Sequence, residues 1–253
     1  MSEKKMTSPS GLEYYYVSSQ EETQYIYSEI FTEQQYIGHN IVINEGDCIF
    51  DVGANIGLFS LYVSTIQEKL KIYAFEPIPE TFAVLEKNKQ LHSLDNLFVF
   101  NYGLSSENNL EKAFTFYPDM AGNSTTRPGE ILVEQESFPS EIRIEDLFKD
   151  FFQDEKKIKC EVKTLSSVIS ELGISSIELL KIDVEGEEYE VLKGIEDSDW
   201  SKIKQIIAEV HDKNGRIEKV KKMLTSHGFN IELRKRELLP STYVDTFNLY
   251  AKR

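Results

Sequence analysis

A glycine-rich turn at residues 51–57 carries the clearest chemical signal in the sequence. The apolar run 48–52 leads into Asp-Val-Gly-Ala-Asn-Ile-Gly, and a segment with helical character follows. In α/β proteins, this kind of turn binds a nucleotide-like ligand at the carboxyl end of a parallel strand. A dinucleotide-binding turn carries glycine where Asn55 stands, so the sequence favours S-adenosylmethionine, which has no pyrophosphate. The turn is then expected to bind the amino-acid part of that molecule.

An acid at the end of the next predicted strand supports the same ligand. Residues 71–75 are predicted as that strand, and Glu76 follows roughly 20 residues past the turn, where an acid accepts hydrogen bonds from ribose hydroxyls. The third strand, 97–100, ends at the same edge. Residues 101–105 therefore either receive the adenine ring or form a plain turn. The predicted donor-binding residues are Asp51, Gly53, Ala54, Asn55, Gly57, Glu76, Asn101, Ser105 and Asp183.

Three ionisable residues, Asp183 among them, are predicted to carry out the reaction. Predicted strand four, 177–182, ends at Asp183, and Glu185 follows two residues later. Predicted strand five, 205–210, ends near His211. Because parallel strands end at one edge of the sheet, these side chains should meet, where they could orient a hydroxyl or remove its proton. The alternatives are that the acids complement a helix start and that the histidine is structural.

A metal site is the open alternative for the same edge. Asp183, Glu209 and His211 could supply oxygen and nitrogen ligands to magnesium. Their positions on separate strand ends carry no diagnostic spacing. We therefore predict no metal site, and magnesium stays an open alternative.

Composition limits the function classes. The 253 residues carry 28 Lys and Arg against 43 Asp and Glu, a net charge of −15, which disfavours nucleic acid as a partner. The spacing of Cys48 and Cys160 suggests neither a metal site nor a redox pair, which favours a reducing compartment. No signal-peptide pattern and no run of about 18 apolar residues occurs, so we expect a cytoplasmic protein without a membrane span.

Two segments stand outside the regular alternation of strands and helices. Residues 1–40 are interpreted as an N-terminal helical extension with a helix over 21–36, and 41–253 as one α/β domain. Residues 107–163 are interpreted as an insertion or β-hairpin on the substrate side, the alternative being an ordinary long connection. One stripe of the N-terminal helix either covers the pocket as a lid or packs into the core, and we favour packing; its residues are Tyr25, Glu29, Glu33 and Tyr36.

The chain resembles the FkbM family of S-adenosylmethionine-dependent methyltransferases over about residues 41–253. The resemblance rests on the turn 51–57, on Phe-Glu-Pro at 75–77, on Leu-Lys-Ile-Asp-Val-Glu-Gly-Glu at 180–187 and on Val-Leu-Lys-Gly at 191–194. The Asp-Val-Glu-Gly-x-Glu stretch is the most specific of these. Similar proteins often carry Leu-Asp in the helix before strand four, where this chain has Leu165-Ser166.

The resemblance implies a Rossmann-like class I methyltransferase fold, with a seven-stranded, mostly parallel sheet and an antiparallel last strand. It also implies O-methylation of a hydroxyl on a polyketide- or peptide-type natural product or a sugar, either free or tethered to a carrier protein. Three alternatives stay open at this point: N- or C-methylation on the same fold, a catalytically silent S-adenosylmethionine-binding module, and a dinucleotide oxidoreductase. The motif typical of DNA amino-methyltransferases is absent after strand four, which agrees with the acidic charge.

Overall fold

The N-terminal segment forms a hairpin and a short helix before the central sheet begins. The computed structural model describes residues 4–108, 110–130, 154–236 and 245–253. Strands β1 (Lys4–Thr7) and β2 (Glu13–Tyr16) pair antiparallel. Helix α1 (Gln20–Tyr27), whose N-cap is Ser19, continues into a π-helical segment (Ser28–Thr32).

The helix predicted over 21–36 is thus wrong at its C-terminal end, and the hairpin was not predicted. After the π-helical segment, Gln34 has φ 52°. A residue in this left-handed region cannot continue a right-handed helix, so the helical path ends.

A seven-stranded sheet forms the centre of the molecule. In spatial order it consists of β11 (Asn230–Lys235), β12 (Thr246–Lys252), β10 (Gln205–His211), β9 (Leu179–Ile182), β3 (Cys48–Val52), β4 (Lys71–Phe75) and β5 (Leu97–Phe100). Strand β12 is antiparallel to both of its neighbours, and the other neighbouring pairs are parallel. The predicted mostly parallel sheet with an antiparallel last strand is therefore confirmed.

Helices cover both faces of this sheet. They are α2 (Leu58–Ile66), α3 (Pro79–Leu91), α4 (Leu165–Glu171), α5 (Glu188–Lys193) and α6 (Arg216–Ser226), with 3-10 turns at Ala121–Asn123, Pro128–Glu130 and Trp200–Lys202. Successive strand residues point to opposite faces. Phe50 accordingly belongs to the apolar cluster that contains residues of α4, α5 and α6, and Ile49 belongs to the cluster that contains residues of α2 and α3. None of the described helices is long and apolar enough to span a membrane.

A small second sheet follows β5. It contains β6 (Gly103–Leu104), β8 (Lys156–Lys163) and β7 (Leu110–Phe116), with β7 and β8 antiparallel. Strands β7 and β8 thus form an antiparallel pair within the segment 107–163. Residues 131–153 of the expected insertion lie outside the described residues.

Candidate active site

The glycine turn takes a backbone shape that side chains would prevent. Gly53 has φ 76°, and a Cβ there would collide with the backbone carbonyl of Asp183. The N–H groups of Gly53 and Ala54 both donate to the Phe75 carbonyl oxygen at 3.0 Å. Asn55, at φ 50°, continues the left-handed path. The turn is therefore held between the ends of β4 and β9, as a ligand-binding turn requires.

A buried lysine lies beneath the turn. Lys181 Nζ donates to the Gly53 carbonyl oxygen at 2.8 Å and lies 3.1 Å from Asp51 Oδ1 and 3.6 Å from Asp183 Oδ2. Asp51 Oδ2 accepts from Ser60 Oγ at 2.7 Å. Burial lowers the pKa of Lys181, but the carboxylates of Asp51 and Asp183 outweigh burial and raise it. Asp51 therefore supports the turn from below, through Lys181 and Ser60.

Glu76 lies at the end of β4, and its carboxylate is held by backbone groups. Asn55 N and Ile78 N each donate to one of its oxygens at 2.9 Å. Burial raises the pKa of Glu76 to about 7, and these two hydrogen bonds offset it only in part. Asn101 Nδ2 donates to the carbonyl oxygens of Glu76 (2.9 Å) and Pro77 (3.1 Å). Asn101 is exposed and fixes the end of the strand from outside.

A cavity of about 470 Å³ opens above the turn. On the side of β4 and β6 it is lined by residues that include Gly53, Ala54, Asn55, Glu76, Ile78, Leu104, Ser105 and Phe114. On the side of β9, β10 and α1 it is lined by residues that include Glu22, Tyr25, Ile26, Glu29, Tyr36, Asp183, Glu185, Glu209, His211 and Arg236. The structure thus brings the predicted donor residues and the predicted catalytic residues to one cavity, except that Asp51, Gly57 and Asn101 lie outside its wall.

His211 is held between carboxylates. Its Nδ1 lies 2.9 Å from Glu188 Oε1, and its Nε2 lies 3.3 Å from Glu185 Oε2 and 3.8 Å from Glu209 Oε1. Burial lowers the pKa of His211, but Glu185 and Glu188 outweigh burial and raise it to about 10. Burial raises the pKa of Glu185 to about 8, although the charge of His211 lowers it. The surrounding carboxylates therefore favour the protonated, cationic imidazole.

The N-terminal segment contributes a second polar group to the cavity. Tyr36 Oη donates to Asp183 Oδ2 at 3.0 Å and lies 3.5 Å from Glu209 Oε2. Burial, followed by the charge of Asp183, raises the pKa of Glu209 well above its ordinary value. Arg236 forms ion pairs with Glu209 and with Glu29 of the π-helical segment. This arginine connects the N-terminal segment to β10.

The four residues considered as a stripe of the N-terminal helix differ in whether they line the cavity or pack in the core. Tyr25, Glu29 and Tyr36 line the cavity. Tyr36 is also buried in the core, with its ring 5.6 Å from that of Phe59. Glu33 is exposed and lies outside the cavity wall. Packing and lining are therefore not exclusive here.

Ser105 and Glu187 are joined by Lys112 of β7. Lys112 Nζ donates to Ser105 Oγ and to Glu187 Oε2, at 2.7 Å each. Arg127 Nε donates to Glu187 Oε1 at 2.7 Å. Burial raises the pKa of Glu187, but the bonds to Lys112 and Arg127 outweigh it and lower the value. Glu187 is thus anchored in ion pairs to the second sheet.

Several residues of the site were not predicted from the sequence, namely Lys181, Glu188, Glu22 and Arg236. A signal existed for Lys181, because a lysine inside an apolar strand requires a buried anionic partner. The three residues weighed as metal ligands, Asp183, Glu209 and His211, do line one cavity. Within the ranges that the structure describes, no group of three or more His, Cys, Asp or Glu could hold a metal ion.

The cavity fits S-adenosylmethionine. Gly53 lets the turn lie against the end of β9 on the cavity wall, because a Cβ there would collide with the Asp183 carbonyl. Glu76 follows β4 on the cavity wall, the position that a ribose-binding acid takes in such sheets, and each of its oxygens can accept a further hydrogen bond. Ile78 and Leu104 give an apolar surface beside it for a planar ring.

Comparison with known proteins identifies the family. The methyltransferase FkbM domain matches residues 51–231. The chain is 37% identical over 230 residues to 31-O-demethyl-FK506 methyltransferase FkbM of Streptomyces tacrolimicus, covering 88% of both chains. It is 35% identical over 240 residues to methyltransferase sdnD of Sordaria araneosa, covering 90% of both chains.

A larger relative and a solved structure also match the chain. The chain is 34% identical over 252 residues to AMB antimetabolite synthetase AmbE of Pseudomonas aeruginosa, and this match covers 92% of the chain but 12% of the synthetase. The crystal structure of methyltransferase FkbM from Methylobacillus flagellatus KT matches with a TM-score of 0.55 at 14% identity, over 88% of this chain and 48% of that one. That likeness concerns the fold. The protein belongs to the FkbM family and is an S-adenosylmethionine-dependent methyltransferase.

Proposed function

We propose that the protein methylates a hydroxyl oxygen of a small natural-product molecule. The observation that carries this proposal is the cluster of Asp183, Glu185 and His211 on the cavity wall. A hydroxyl is a weak nucleophile until its proton is held or removed, so its methylation calls for a hydrogen-bond acceptor beside it. A neutral amine acceptor would need no such group.

The donor side of the cavity follows from the turn. S-adenosylmethionine supplies a methyl group on a positively charged sulfur, which is already a good leaving centre. The N–H groups of Gly53, Ala54 and Asn55 already donate within the protein, so their carbonyl oxygens would hold the ammonium end of its amino-acid part. Glu76 would accept from the ribose hydroxyls. Ser105 lies beside the apolar surface that would receive the adenine.

Among the three catalytic candidates, Glu185 is the best proton acceptor. The pKa of His211 is raised to about 10, above that of Glu185, so Glu185 is the first of the two to lose its proton as pH rises. The pKa of Glu185, at about 8, lies close to the working range, which is the condition for an efficient general base. Asp183, which accepts from Tyr36, would orient the hydroxyl. The His211 cation would stabilise the Glu185 carboxylate before the proton arrives.

The relatives support a natural-product acceptor. One relative is 31-O-demethyl-FK506 methyltransferase FkbM, and that name states an O-demethyl substrate for that protein. Another is an antimetabolite synthetase in which the matching region is a small part. For this chain, we propose from these names that the acceptor is a natural-product molecule. The match to part of a synthetase suggests a second form of the acceptor, in which it is carried on a protein.

An acceptor screen with matched compounds tests the proposal. Each hydroxylated candidate is incubated with S-adenosylmethionine beside its amine and deoxy analogues, free and linked to a carrier protein. Mass spectrometry follows methyl transfer, and fragmentation locates the methyl group. We expect methylation of the hydroxyl compound alone.

Three other outcomes would contradict the proposal. Methylation of the amine analogue alone would assign an N-methyltransferase, and methylation at carbon would assign a C-methyltransferase. Binding of S-adenosylhomocysteine without turnover of any acceptor, free or carrier-linked, would assign a silent binding module.

A further inference from the structure

Glu22 is a buried acid of the cavity wall that the proposed reaction does not use. It lies in the first turn of α1, and its side chain lines the cavity. Its Oε1 accepts from the Gly122 N–H at 2.8 Å. Its Oε2 is buried and has no hydrogen-bond partner among the described residues. One oxygen is thus anchored, and the other is available to a ligand.

Glu22 belongs to the eight-residue helix α1 and is only 7% exposed. None of the described cationic residues forms an ion pair with it. Burial raises its pKa to about 7, and the nearby Ser18 side chain and the backbone of Gly122 and Ala121 offset burial only in part. A buried carboxylate without a cation is costly, and a positively charged ligand removes that cost. The site therefore favours a cation with N–H donors.

Glu22 also lies next to the glycine turn. A Cβ built on Gly122 would lie 3.0 Å from Glu22 Oε1 and 3.5 Å from Asn55 Nδ2, so both side chains meet at this glycine. Asn55 belongs to the turn that would hold the amino-acid part of the donor. The charge of Glu22 also raises the pKa of Glu185, which places Glu22 within electrostatic range of the catalytic cluster. The contact at Gly122 places Glu22 beside the part of the turn that would hold the donor's amino-acid end.

We propose that Glu22 binds the α-ammonium group of the methyl donor. An ammonium carries three N–H donors and forms strong, charge-assisted hydrogen bonds with a carboxylate. The N-terminal helix then completes the donor site, which the glycine turn begins. In this arrangement α1 takes part in binding the donor as well as in covering the cavity.

Calorimetry with two ligands tests this assignment on the full-length protein. The ligands are S-adenosylhomocysteine, which lacks the charged sulfur, and its analogue in which hydrogen replaces the α-amino group. We expect Glu22→Gln to weaken binding of S-adenosylhomocysteine about tenfold, the size of a charge-assisted hydrogen bond. The same variant should bind the deamino analogue with an affinity within about twofold of wild type, because this analogue has no ammonium group for Glu22 to bind.

Two variants complete the experiment. Glu33→Gln makes the same charge change at an exposed position outside the cavity, and its affinity for both ligands should match wild type. Glu22→Asp keeps the charge on a shorter side chain and should give a smaller loss, specific to S-adenosylhomocysteine; it also replaces Glu22→Gln should that variant fail to fold. Equal weakening of both ligands, or unchanged binding of S-adenosylhomocysteine, would overturn the proposal. A change confined to the KM of the acceptor would assign Glu22 to the acceptor instead.

Discussion

Lys181 and Asp51 face each other in register on neighbouring parallel strands, with Nζ 3.1 Å from Oδ1, and both are buried. The same Nζ donates to the carbonyl oxygen of Gly53. One buried cation therefore connects the strand before the glycine turn, the turn itself and the strand that ends at Asp183. The donor side and the reaction side of the cavity share this support.

Replacing Lys181 by Met should strongly destabilise the protein. The variant leaves Asp51 buried without its counter-charge, and breaking a buried pair in this way costs about 3–5 kcal/mol. Urea denaturation of the variant and wild type measures the difference in the free energy of unfolding. Lys71→Met, at an exposed position of β4, is the control and should change stability by less than about 0.5 kcal/mol. A Lys181→Met protein as stable as wild type would show that the pair contributes nothing.

The sheet was predictable because its buried strands are short apolar runs that end in polar residues at one edge. Glu76, Asp183 and His211 were placed correctly at that edge for this reason. The pairing of Lys181 with Asp51 was not predictable, because a local sequence pattern does not reveal which residues face each other on neighbouring strands. Nothing in the sequence singles out Glu22, because an acid in the first turn of a helix is already explained by the helix dipole.

Gly53→Ala should cost more stability than Gly46→Ala. Both glycines have positive φ, 76° and 86°, so alanine is strained at each by about 1 kcal/mol. At Gly46 a Cβ meets open space, whereas at Gly53 it meets the carbonyl of Asp183. Relieving that collision requires the turn to move away from β9, so we expect an added loss of about 2 kcal/mol or more.

The two alanine variants are compared by urea denaturation and by calorimetry with S-adenosylhomocysteine. Gly46→Ala should retain wild-type affinity, because Gly46 lies outside the cavity wall. Gly53→Ala should lose most of it. Equal losses of stability in the two variants would mean that backbone strain alone, rather than the approach to β9, makes glycine necessary at 53.

Stability should fall with pH on the alkaline side, with His211 as one cause. Its folded pKa is raised from 6.5 to about 10, so its stabilising contribution is complete below 6.5 and is lost as pH rises through 10. The raised pKa of Glu185 acts in the same direction at lower pH, since the folded protein holds that proton more tightly. Denaturation of wild type and His211→Gln between pH 6.5 and 10 should therefore show a shallower decline in the variant. Parallel declines would contradict a charged His211 in the folded protein.

Glu185→Gln should lower the rate of methyl transfer by about 10²–10⁴, the range for loss of a general base. In wild type, the rate should rise with pH toward about 8, because the Glu185 carboxylate forms over that range. The variant should lose this rise while keeping its affinity for S-adenosylhomocysteine.

His211→Gln should also lower turnover with little change in that affinity, since it removes the cation that lies 3.3 Å from the Glu185 carboxylate. Single-turnover rates across pH, with Glu190→Gln as a control whose carboxylate is bonded to Ser106 and Lys193, separate these effects. If Glu185→Gln keeps both the rate and its rise with pH, the proton goes elsewhere, and Asp183→Asn becomes the decisive variant.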